Sequence, residues 1–147
     1  MFLVGYMSTS WLTTFLRAIW WAFFGPVPIS LESALAECGI STQSASALTC
    51  VTTGFPREFR TASVQIVYRH ISERLNWGFQ TKRTRHASYQ IAEPEKALLD
   101  WIYLQRQEGL PTAFDELSLK AIDWKKLNRY SLKFPKSVQK ALQEVSA

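Results

Sequence analysis

The middle of the chain alternates with a period of two, while its two flanks repeat near 3.6. Val64, Ile66 and Tyr68 alternate with Gln65, Val67 and Arg69, the pattern of a strand whose neighbouring side chains point to opposite faces. On one side, Leu31, Ala34 and Leu35 fall on a helical face. On the other, Ala97, Leu98, Trp101, Ile102 and Leu104 form a helical stripe. A strand-rich centre between helical ends predicts an α+β fold. Its sheet is mostly antiparallel, over about residues 47–92, with helices packing from the N-terminal and C-terminal sides.

Local signals divide these regions into elements. Ser30 is a good N-cap and Glu32 suits the first turn, so a short helix is expected over residues 31–38, stopped by Gly39. Ser41 to Ser46 reads as a loop. Strands are expected over residues 48–52, 58–60, 63–70, 76–82 and 88–92, with a turn at Gly54-Phe55-Pro56. A basic hairpin tip, Lys82 to His86, joins the last two. Pro94 and Glu95 open a helix that Gly109 and Pro111 stop. Asp123 caps a short segment in which Trp124, Leu127 and Tyr130 share a face, and residues 136–145 form the last helix.

The chain has 147 residues, enough for one core without metal or disulfide staples. Its two cysteines, Cys38 and Cys50, cannot form a disulfide scaffold. With His70 and His86 they show no metal-ligand spacing. No cofactor and no metal are expected. No glycine-rich phosphate loop, catalytic triad signature or dinucleotide fingerprint occurs.

Residues 2–24 hold one charge, Arg17, among large apolar groups. The length would span a bilayer, but five hydroxyl residues dilute it. Arg17 inside the span would cost about 3 kcal/mol. A core or interface helix is the favoured reading of this aromatic segment, with self-association through it as a further expectation. A membrane anchor is the minority reading. The expected location is cytoplasmic.

The net charge of +5 is concentrated in residues 54–90, where seven basic residues face two acidic ones. The basic residues include Arg57, Arg60, Arg69, Lys82, Arg83 and Arg85. They read as a face for nucleic acid or an acidic protein, or equally as a solvated sheet face. His70 beside Arg69 is counted in the same partner or nucleic-acid binding set; by itself it reads as a hydrogen-bonded structural histidine before a general base. Thr52-Thr53-Gly54 reads as a strand end with a turn rather than an anion cradle. Ser30 and Ser33 lack an adjacent base, so capping is the expected role of Ser30. Glu95, Lys96 and Asp100 have a nuclease-like flavour, but the sheet segments offer only Glu58 and Glu73 as further acids. The simpler reading is a solvated helix start with a Lys96–Asp100 pair four residues apart. Lys120, Lys125, Lys126, Arg129, Lys133, Lys136 and Lys140, interleaved with Trp124 and Tyr130, read as a solvated helical face or a nucleic-acid contact.

Several segments, in order, carry a family resemblance. They are Ile29 to Leu35 with Gly39; Val51-Thr52-Thr53-Gly54 with Pro56-Arg57; Tyr68-Arg69-His70-Ile71 with Gly78-Phe79; Ile91 to Asp100; and Phe134-Pro135-Lys136-Ser137. Together they resemble the C-terminal domain of AbiEi-type antitoxins, described as predicted transcriptional regulators of viral defence systems, over roughly residues 20–145. The resemblance implies a non-catalytic antitoxin domain of a type IV toxin–antitoxin system that aborts phage infection. Its partner would be a nucleotidyltransferase-like toxin, counteracted without an assured direct contact. The family's usual winged helix is not expected before Ser30, which leaves residues 25–147 as the antitoxin-like domain. A nucleic-acid-binding regulator and a vestigial metal-dependent nuclease are the alternatives. Family members tend to place Ser or Thr where this chain has Glu93, a poorer helix cap.

Overall fold

The computed structural model describes residues 28–41, 47–60, 62, 65–83, 85 and 88–146. The apolar segment over 2–24, most of the loop after Ser41, and His86 lie outside the described residues.

Helix α1 (Leu31–Glu37) is followed by strands β1 (Leu48–Thr52), β2 (Arg57–Arg60) and β3 (Gln65–His70). After a single 3-10 turn (Glu73–Leu75) come β4 (Phe79–Arg83) and β5 (Ser88–Ala92). Helix α2 (Pro94–Gln107), a second 3-10 turn (Phe114–Glu116), α3 (Trp124–Ser131) and α4 (Lys136–Ser146) complete the chain. The architecture is α+β, with helices on both sides of the strands in sequence. Among the described residues no helix is long and apolar enough to cross a membrane.

The strands form two small sheets. In the first, β3 lies centrally, antiparallel to β2 and parallel to β1, with Leu48 opposite Ile66 and Thr52 opposite His70. In the second, β4 and β5 are antiparallel. Two of the three pairings are thus antiparallel; the parallel β1–β3 pair is the exception. A parallel pair needs a crossover, supplied here by β2 itself, which passes to the far side of β3 before the chain returns.

One residue joins the sheets. The Ile29 N–H donates to the Gln90 carbonyl (3.0 Å), and its carbonyl accepts from Ala92 N (2.8 Å). On the other side, Ser30 N donates to Thr49 O and Val51 N to Pro28 O, both at 3.1 Å. The segment Pro28–Ser30 therefore fills the gap between β5 and β1.

Helix α2 is the centre of the molecule. It packs against α1, α3, α4 and β5, and nearly all of its first three turns are buried: Glu95 through Ile102 and then Leu104. A helix buried on every side cannot keep a solvated face. The expectation of a solvated start at Glu95–Asp100 is therefore overturned: these three charged residues lie inside the core.

Candidate functional site

Burial forces Lys96 and Asp100 to find partners, since a lone charge in an apolar core costs several kcal/mol (about 3–5). Both side chains have 0 % exposure. Lys96 Nζ donates to Asp100 Oδ1, the pair expected from their spacing. The Ser30 hydroxyl donates to the other oxygen, Asp100 Oδ2, at 2.9 Å. Three rings, Trp77, Phe79 and Phe134, surround the ammonium with centroids 5.3, 5.1 and 5.5 Å away. Their electron-rich faces add to the attraction of the carboxylate. Burial still weighs against both charges: it pushes Lys96 down from the ordinary lysine value. It pushes Asp100 up to about 6, against the pull of Lys96 and Ser30.

Gly78 makes room for this arrangement. Its φ is +82°, and a Cβ there would stand 2.8 Å from Lys96 Cγ. Only glycine meets both conditions without strain.

Ser30 corrects a second expectation. It sits at the N-cap of α1 in extended conformation, yet its side chain makes no capping bond. Its hydroxyl is committed to Asp100 instead. The cap comes from across the sheet junction: Ser33 N donates to Thr49 Oγ1 (3.0 Å), and Thr49 Oγ1 donates to Ser30 O (2.7 Å). Ser33 Oγ returns the bond, accepting from Thr49 N at 2.8 Å and donating to Ala47 O at 3.0 Å. Leu31, the residue between, has φ +56° with its side chain buried. A leucine in the left-handed region is strained by about 1–3 kcal/mol, so this junction is held by its neighbours rather than by its own preference. Glu32, in the first turn, is exposed.

A second acidic group lies at the same end of α2, after Pro94 at the first helical position. Glu95 is 3 % exposed and accepts from Asp123 N at 3.1 Å. Lys126 bridges Glu93 and Glu95, the latter at 3.3 Å, and Tyr130 donates to Glu93 at 3.1 Å. The hydrogen bond to Glu93 raises Lys126 above the ordinary lysine value. Glu93 does not cap α2 with its side chain; it fastens α3 to α2.

The basic residues of the middle third are divided. Arg57 pairs with Tyr68, its guanidinium 5.1 Å from the ring centroid, on one face of the first sheet. Arg60 and Arg69 belong to the opposite face by alternation. Arg60 is exposed beside Glu58 (3.1 Å), whereas Arg69 is half-buried and paired with Glu108 after α2. A single face made of all three arginines is therefore not present. Lys82 stands 3.6 Å from Glu37, while Arg83 and Arg85 are exposed near the hairpin tip. His70 Nδ1 is 2.9 Å from the Gly54 carbonyl, and Gly54 N donates to Thr52 Oγ1 at 3.0 Å. Thr52 to Gly54 is thus a hydroxyl-stabilised turn with Thr53 exposed, and His70 is hydrogen-bonded to it. Among the described residues no group of three or more His, Cys, Asp or Glu stands close enough to hold a metal ion.

Sequence reasoning found Lys96 with Asp100, but not the contributions of Trp77, Phe79, Phe134 and Thr49. The paired Trp77-Gly78-Phe79 was the available signal: a glycine between two aromatic residues marks a close approach of backbone to a side chain.

No protein-family model matches this chain, and no curated protein matches it.

Proposed function

We propose that this chain is a non-catalytic antitoxin domain of the AbiEi type, which counteracts a nucleotidyltransferase-like toxin in a type IV system. One observation carries the reading. The charges of the Glu95-Lys96-Asp100 motif are spent on internal partners, while Arg57, Arg60, Arg83 and Arg85 stand exposed. In this reading the motif builds the domain, and the exposed arginines meet an acidic surface. Arg57 and Arg60 lie on opposite faces of the short strand β2, so a partner meets both only by wrapping that strand. The ordered resemblance from Ile29 to Ser137 supplies the toxin class.

Growth rescue tests the proposal. The chain is co-expressed with a nucleotidyltransferase-like toxin encoded at its own locus. Wild type restores growth, and the charge reversal Arg57→Glu/Arg60→Glu/Arg83→Glu/Arg85→Glu weakens rescue while circular dichroism shows the variant folded. Failure of the folded wild type to rescue would overturn the antitoxin reading. Full rescue by the reversed variant would overturn the role of the arginines.

A further inference from the structure

The C-terminal helices carry a second basic surface, unconnected with the reading above. Lys120, Lys125, Arg129, Lys133, Lys136 and Lys140 are all exposed, and none has a carboxylate partner among the described residues. The nearby acids are already occupied. Asp123 Oδ1 accepts from Lys125 N and Lys126 N at 3.0 and 3.2 Å to cap α3. Glu93 and Glu95 hold Lys126, and Glu144 lies 3.7 Å from Arg106. Among the described residues these six side chains therefore form no ion pair, and their charges face solvent.

Aromatic rings lie along the same row. Lys125 and Arg129 are four residues apart, about 6 Å along the helix axis, and Lys133 follows in the turn after α3. Arg129 is 5.8 Å from the Tyr130 ring centroid, and Lys133 Nζ is 4.6 Å from that of Trp77. Trp124, next to Lys125, is 36 % exposed, whereas Leu127, expected on the same face, is buried. An exposed indole beside regularly spaced cations offers both things a flexible nucleic-acid strand requires: charge for the backbone and a flat surface for a base.

We infer that the α3 surface binds single-stranded nucleic acid, with phosphodiesters against Lys125, Arg129 and Lys133 and an unpaired base stacked on Trp124. The exposed indole beside the cations favours this partner over an acidic protein, because phosphodiesters take up the charges while an unpaired base takes up the ring. A duplex keeps its bases stacked on one another and leaves the indole without a partner. For base-edge reading, the exposed outer face of α3 offers one amide side chain, Asn128.

The test is fluorescence anisotropy on the full chain, with labelled oligo(U), oligo(dT) and a duplex of about 12 nucleotides, a length within the usual site sizes. Single strands bind more tightly than the duplex, with affinity falling as salt rises. In Lys125→Gln/Arg129→Gln/Lys133→Gln, the slope of log affinity against log salt shrinks by about 2, as expected for three lost phosphate contacts. Trp124→Ala weakens binding about tenfold with the slope unchanged. The difference between oligo(U) and oligo(dT) identifies RNA or DNA as the preferred strand. Reversal at Arg57 and Arg60 leaves the affinity within about twofold, which separates this surface from the arginines of the antitoxin proposal. Tighter duplex binding, a wild-type salt slope in the triple variant, no effect of Trp124→Ala, or preferential binding to anionic lipid vesicles would each overturn the inference.

Discussion

Asp100 is the residue on which a buried ammonium and a buried hydroxyl converge. Its two oxygens serve Lys96 and Ser30, so it joins α2 to the segment preceding α1. Removing one partner leaves the other charge buried and alone. Asp100→Ala is therefore expected to lower stability by about 3–5 kcal/mol in urea unfolding, whereas Lys96→Met/Asp100→Leu recovers most of the loss. The pH dependence has a definite sign. Burial raises the folded-state carboxyl from the ordinary 3.8 to about 6, so the folded protein binds this proton more tightly than the unfolded chain. The associated stability is present below the ordinary value and is lost as pH rises through that window. Wild type should lose stability relative to Asp100→Asn between those two values; parallel curves would show an ordinary carboxylate. Lys96 is lowered, so its contribution runs the other way, with stability rising as pH climbs toward the ordinary lysine value. At Gly78, alanine brings both a strained φ and a Cβ against Lys96 Cγ. Gly78→Ala should cost about 2 kcal/mol or more by thermal or chemical unfolding.

At the scale of elements, the helices and strands were legible because each has its own period and its own stop signals. Pro94 opens α2, Gly109 follows its end, and Asp123 caps α3 as its position implied. Environment was less legible. Periodicity marks an apolar stripe but does not say that a helix will be covered on every side, so Lys96 and Asp100 read as solvated. The α1 cap was hidden for a different reason: the residue that accepts from Ser33 N, Thr49, lies sixteen residues further on, on β1. No local pattern records such a pairing. It makes a separate prediction, since Thr49 is buried and both accepts from Ser33 N and donates to Ser30 O. Thr49→Val keeps the shape but strips both bonds, leaving α1's first turn uncapped. A loss of about 1–3 kcal/mol is expected, the cost of unsatisfied buried polar groups. Faster amide exchange of Ser33 than of the rest of α1 would locate the damage. Unchanged Ser33 protection in Thr49→Val would mean that the helix finds its cap elsewhere.

For the molecule as a whole, the question is whether two small sheets behave as one body. A two-stranded ribbon is marginal in water by itself, and β4–β5 is such a ribbon. It gains support from α2, which packs on β5, and from Ile29, which bonds to both Gln90 and Ala92. Pro28 and Ser30, on either side of Ile29, bond to β1. One extended residue thus links the ribbon to the three-stranded sheet, and its side chain is fully buried in the shared core. A bridge this short leaves no period in the sequence, which is why a single sheet over residues 47–92 was expected in place of two sheets joined by a residue outside that range. If Ile29 couples them, the amides of Ile29, Ser30, Val51 and Ala92 exchange through the same opening, with protection close to the global unfolding free energy. Ile29→Ala, which opens a cavity at this point and should cost about 2–5 kcal/mol, then lowers the protection of both sheets together. Loss of protection in β4–β5 with β1 and β3 unchanged would show instead that α2 carries the ribbon and that Ile29 only fills the space between the sheets.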